Sequence, residues 1–172
     1  MYRAYPYILL FFALALLQVF LFDNLSISVY LSPLVYVAFV VLLPIDVRPV
    51  VALLAALALG VAMDWTMGGA GINTIATLPL ALLRRPLLRS ICGEENIREG
   101  GVPSPERLGR GSFLRYLIAM VAVHHLIFFV VEALSWSRLP YTLGRWLLSG
   151  AVSVGFIWLI AAIFTAKRIS KS

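Results

Sequence analysis

Asp64, His124, His125, Glu132 and Ser149 are the side chains in this sequence that could move a proton or attack a carbonyl, and their spacing limits them. Adjacent histidines point about 100° apart on a helix, so His124 and His125 cannot chelate one metal from a single segment. His125 and Glu132 share a face but sit about two turns apart, so a proton relay between them needs a third group. The plainer reading of these side chains is interhelical hydrogen bonding, and Gln18 reads the same way. A hydrolase would need a nucleophile and a base on facing helices, and His124 or His125 with Ser149 is the sole pairing on offer. The chain lacks HExxH, a GxSxG turn, paired metal-ligand spacing, a phosphate-binding glycine loop and any lysine before Lys167. The expectation is a protein that is not an enzyme and has no catalytic, cofactor-binding or metal site. The one cysteine, Cys92, has no partner for a disulfide within the chain and no feature that points to reactivity.

A stronger pattern is structural. Ala52, Ala56, Gly60 and Asp64 recur at intervals of four and so lie along one helical stripe. Helices in lipid associate through close packing and hydrogen bonds, which small residues permit, so the stripe is expected to face another helix. Asp64 continues it, and an acidic group at membrane depth costs about 2.5 kcal/mol or more unless it has a partner or an aqueous path. Three roles fit it: capping the next helix near Gly68, docking a partner, or coupling to an ion or proton. Thr66, Gly68, Gly69 and Asn73 follow closely enough to supply donors.

The elements that carry these residues are apolar. The sequence is 62% hydrophobic with a mean hydropathy of +0.96, well above the roughly 45–50% of a soluble domain. Six apolar blocks run approximately over 5–22, 27–43, 49–63, 68–83, 113–134 and 143–164. Backbone in hydrocarbon must satisfy itself, so each block is expected to be helical, and about 20 residues are needed to cross. The expected fold is all-α: residues 1–172 as one compact bundle of about six transmembrane helices. The third and fourth blocks are short, and Gly68, Gly69, Gly71 and Pro79 leave open a re-entrant hairpin in place of two crossings. The first block follows Arg3 like a signal peptide but has no small-residue cleavage site, so it is read as a span.

Under six segments, twelve of the fourteen basic residues fall on one side, with Arg138 and Arg145 on the other. The positive-inside rule then makes both termini and the loop 84–112 cytoplasmic, with Arg84, Arg85 and Arg89 as a basic face. Residues 90–112, mixed in charge and rich in Gly and Pro, read as a solvated connector or as a dock for a cytoplasmic partner or anionic lipid headgroups. The net charge of +6 is thus an orientation signal, and nucleic acid is not expected as a partner.

The run Gly60-Val61-Ala62-Met63-Asp64-Trp65, followed by Gly71-Ile72-Asn73-Thr74, resembles the G-x-x-x-D and downstream Gly pattern of the rod shape-determining protein MreD family. Leu17-Gln18-Val19-Phe20-Leu21-Phe22-Asp23 and Leu31-Ser32-Pro33-Leu34 are similar to that family too, closest to its Bacteroidetes-like versions, and the similarity covers most of the chain. The loop from Ser90 to Ser112 departs from the pattern. The resemblance implies a non-catalytic, multi-pass subunit of the bacterial inner membrane, in the cell-elongation complex with MreC, the actin-like MreB, the RodA glycosyltransferase and a class B penicillin-binding transpeptidase. Ala52, Ala56, Gly60, Asp64, Gly71 and Gln18 are then the positions expected in partner or helix packing, with membrane lipid around them.

That family's fold is similar to the substrate-capture subunits of energy-coupling-factor vitamin transporters. A vitamin-binding membrane subunit is therefore the alternative, although Ala13 and Ala15 lie two apart where such subunits carry a small-xxx-small docking signature. A carrier of a lipid-linked precursor is a third reading, resting on the basic rim alone.

Overall fold

The computed structural model describes residues 5–22, 31–133 and 139–169, and of these 86% are helical with no strand. Helix α1 (Tyr5–Leu17) ends in a π-helical turn, Gln18–Phe22. A 3-10 turn at Val35–Val37 leads into the short α2 (Ala38–Leu42). The long elements are α3 (Pro49–Met67), α4 (Ile72–Cys92), α7 (Arg110–Ala133) and α8 (Leu139–Ile169). Two short helices, α5 (Glu94–Glu99) and α6 (Pro105–Leu108), connect α4 to α7.

Three of these helices are long and apolar enough to cross a membrane, over Pro49–Met67, Arg110–Ala133 and Pro140–Thr165, and Tyr5–Leu21 is a shorter apolar helix. Their outer faces carry Leu9, Phe12, Leu54, Val61, Ile118, Leu147 and Leu159 in the open, as lipid contact requires. The chain is therefore a helical protein of the membrane type. Six continuous spans, however, are not found among the described residues. In the described part of the second apolar block, which starts at residue 31, residues 31–34 are irregular and helix runs over Val35–Leu42.

That segment is the centre of the molecule. Val35 to Ala38 and Val40 to Leu42 are 0% exposed, enclosed by packing against α1, α3, α4 and α8. Its apolar side chains fill the core while its polar backbone, with few helical bonds of its own, requires partners from elsewhere.

The third block runs on past Met63 to Met67, which at 1.5 Å per residue gives a helix of about 28 Å, long enough for a full crossing. Pro49 starts it, where a missing N–H costs nothing, and Gly68 ends it at a left-handed φ of 68°, its N–H returning to the Asp64 carbonyl. The chain turns back through Gly71, and α4 packs antiparallel along α3. Helix α4 contains Pro79 and Pro86 and continues to Cys92, so the interval 84–112 is largely helical, not an open loop. Contacts between Tyr7 and Phe164, and between Thr165 and Glu106, bring the start of α1 and the end of α8 to the end of the bundle that holds α6.

Candidate functional site

The residues singled out in the sequence fall into three places. The first is the α3–α4 seam. Ala52 and Ala56 are buried, and a Cβ added to Gly60 would stand 2.6 Å from Thr74 Cα, so the stripe is what lets the two backbones touch. The stripe is thus occupied within the chain, against α4. Asp64 stands one turn beyond and reaches across to the start of α4. Its Oδ1 accepts from the Asn73 N–H at 2.9 Å and from Asn73 Nδ2 at 3.0 Å, and its Oδ2 accepts from the Thr74 N–H at 3.0 Å and from Thr74 Oγ1 at 2.6 Å. Those are N–H groups that no intrahelical carbonyl can satisfy, and the α4 N-terminus favours negative charge. Of the three roles open to Asp64, capping is the one seen. Gly71, at φ 94°, is the N-cap residue of α4 and has no side chain to do this itself.

From the seam a string of hydrogen bonds enters the bundle. Because Asn73 Nδ2 donates to Asp64, its Oδ1 faces inward and accepts from the Tyr36 hydroxyl at 2.8 Å. Tyr36 must then accept from His124 Nε2, 3.1 Å away, and Thr77, whose own proton goes to the Asn73 carbonyl, lies 3.4 Å from the same nitrogen. The pattern assigns His124 the Nε2–H tautomer. Its Nδ1 is buried and has no partner.

The second place is the irregular backbone before α2. Gln18 Nε2 donates to the Pro33 carbonyl at 3.1 Å, while its Oε1 accepts from Val35 N–H at 2.7 Å and Tyr36 N–H at 3.4 Å. Ser149 Oγ accepts from Ser32 N–H and Ser153 Oγ from Leu34 N–H, each at 3.0 Å. Ser153 in turn lies 3.0 Å from His125 Nε2, and His125 Nδ1 lies 3.0 Å from the Val121 carbonyl. A carbonyl can only accept, so His125 takes the Nδ1–H tautomer and receives the Ser153 proton. The two neighbouring histidines therefore hold different parts of the molecule. The hydroxyl beside His125 is thus that of Ser153, one turn along α8 from Ser149. Near the far end of α7, Arg145 pairs with Glu132 at 2.8 Å and donates to Ser32 Oγ at 3.1 Å. Tyr36, Ser153 and the Glu132–Arg145 pair were not foreseen, although Arg145, Ser149 and Ser153 stand four apart on one helix face.

The third place is the arginine-rich end. Arg85 and Arg89 are exposed, and Arg89 pairs in the open with Glu94 at 3.0 Å. Arg84 does not join that face. It is 3% exposed and donates from Nη2 to the Leu43 carbonyl, the end of the central segment. Its position on α4 turns it toward the core, whereas its neighbour Arg85 points about 100° away. Among the described residues, no group of three His, Cys, Asp or Glu is arranged to hold a metal.

These features define a helical membrane-type protein whose interior polar groups mostly serve one another. Comparison of the chain with protein-family models, with curated proteins and with solved structures finds no match in any of the three.

Proposed function

We propose that this chain is a non-catalytic, multi-pass scaffold of the bacterial inner membrane, working in the cell-elongation complex in the manner of the MreD family. The observation that carries the reading is the joint use of the residues behind the resemblance. Gly60 admits Thr74, and Asp64 caps Asn73 and Thr74, so the spacing G-x-x-x-D with a downstream glycine has a mechanical reason in the α3–α4 hairpin. A second observation supports a packing role. Between α1 and α3 lies an outward groove of about 480 Å³, walled by Tyr7, Phe11, Phe12, Phe39, Val51 and Ala55, apolar throughout except for Asp46 at its rim. A groove of that character suits the single transmembrane helix of MreC or of the class B transpeptidase, with RodA alongside. By the positive-inside rule the arginine-rich end would face the cytoplasm and MreB.

The test is purification of the tagged protein from its native membrane in mild detergent, with its companions identified by mass spectrometry. Recovery of MreC with RodA or the transpeptidase is expected, and Ala55→Trp in the groove should reduce it. Recovery of an ATPase pair with a coupling membrane subunit would overturn the reading and assign the chain to vitamin transport.

A further inference from the structure

Arg84 is a buried cation without a counter-ion. None of the ion pairs among the described residues includes it, and Asp46 acts on it only from beyond ion-pair distance. The Leu43 carbonyl takes one of its donors, while Nε is buried with no partner. A guanidinium so enclosed is costly unless an anion compensates it, and a planar fork of donors matches a phosphate better than any other common anion except a carboxylate.

There is room for one beside it. Arg84 and Arg85 line a pocket of about 230 Å³ with Pro49, Ala52, Leu82 and Pro86. Helix α3 begins at the edge of that pocket with Pro49, so the positive end of its dipole lies nearby, although Pro49 has no N–H and the Ala52 N–H is bonded to the Arg48 carbonyl. Arg48 precedes it, and neither Arg48 nor Arg85 belongs to an ion pair among the described residues. The volume is below the roughly 300–1,000 Å³ of sites for drug-sized molecules, so it fits a single charged group. One wall opens to the apolar outside of the bundle, since Leu82 lines the pocket and is 59% exposed. A ligand whose anionic head enters here can therefore keep an acyl chain on the lipid-facing surface of α4.

We propose that this pocket binds the phosphate group of an anionic ligand, with the buried Arg84 in its inner wall and the exposed Arg85 at its mouth. Two sources share that chemistry, an acidic phospholipid headgroup and free phosphate, and the Leu82 wall favours the lipid. The site is independent of membership in any complex.

The experiment uses the whole chain, delipidated in detergent, with native mass spectrometry and thermal melting against phosphatidylglycerol, phosphatidylcholine and inorganic phosphate in turn. Binding of one phosphatidylglycerol with a raised melting temperature, and neither effect with phosphatidylcholine, is expected. Arg85→Gln, at an exposed position, should weaken that binding about tenfold, the worth of one charge-assisted hydrogen bond. Arg84→Lys, which keeps the charge and loses the fork, should weaken it by at least as much, with circular dichroism checking that the helices remain. Stabilisation by inorganic phosphate equal to that by phosphatidylglycerol would keep the pocket and transfer it to a soluble ligand. Equal binding of the two lipids with no effect of phosphate, or undiminished phosphatidylglycerol binding by Arg85→Gln, would overturn the proposal.

Discussion

The α3–α4 seam and the segment from Ser32 to Leu43 are both buried and both apolar in sequence, yet they are held in opposite ways. At the seam two regular helices satisfy their own backbones, and small residues let them meet; side-chain bonds are needed only at the turn, from Asp64. Around 32–36 the backbone has few local partners, and Gln18, Ser149 and Ser153 supply them from α1 and α8. Lipid permits either solution, since it forbids unsatisfied backbone and not irregular backbone enclosed in protein. The difference teaches what an interruption of helix demands in such a bundle: buried polar side chains from other elements to take its backbone groups.

Four substitutions would break or sharpen this contrast, each read as unfolding of the purified protein in detergent. Gly60→Leu is expected to cost the most, over about 3 kcal/mol, because its Cβ meets α4 backbone that cannot give way. Retention of wild-type stability would mean the helices are not in contact at that point. Gln18→Leu follows at about 2–3 kcal/mol, by orphaning two buried N–H groups and a carbonyl. A neutral result would show that segment to be solvated or otherwise paired. Asp64→Asn keeps the shape but loses the charge and one acceptor toward Thr74, for about 1–2 kcal/mol. Arg145→Gln removes a partly exposed ion pair and should cost the least, about 0.5–1 kcal/mol, with the loss shrinking in high salt.

The same contrast explains what could be read from the sequence. The seam was legible because its signal is local: a period of four from Ala52 to Asp64 names the packed face, and Asn73 is one of the donors expected, whereas the threonine that joins it is Thr74 and the expected Thr66 bonds the Ala62 carbonyl instead. The long apolar helices were legible from hydropathy. The second block was expected as a continuous helix because its composition is as apolar as its neighbours', and hydropathy reports burial without reporting backbone conformation. What interrupts it is a set of partners more than a hundred residues away, such as Ser149 and Ser153. Their spacing of four with Arg145 was visible, but only the fold says what that stripe faces. Arg84 shows the converse error, in which a residue type suited to a surface is turned inward by its place on α4. Block lengths also misled at α4, where arginines end the apolar run at Leu83 while the helix continues to Cys92.

The non-catalytic reading depends on Gln18, Ser149, Ser153 and His125 being engaged with the central segment, so the most direct test is amide hydrogen exchange over residues 31–43 in detergent or nanodiscs. The account predicts that the N–H groups of Leu34, Val35 and Tyr36 exchange as slowly as those of mid-α7, and that Gln18→Leu releases Val35 and Tyr36 while leaving α3 protected. Fast exchange of those three amides in the unaltered protein would contradict it, and would leave those polar side chains free for other work inside the bundle.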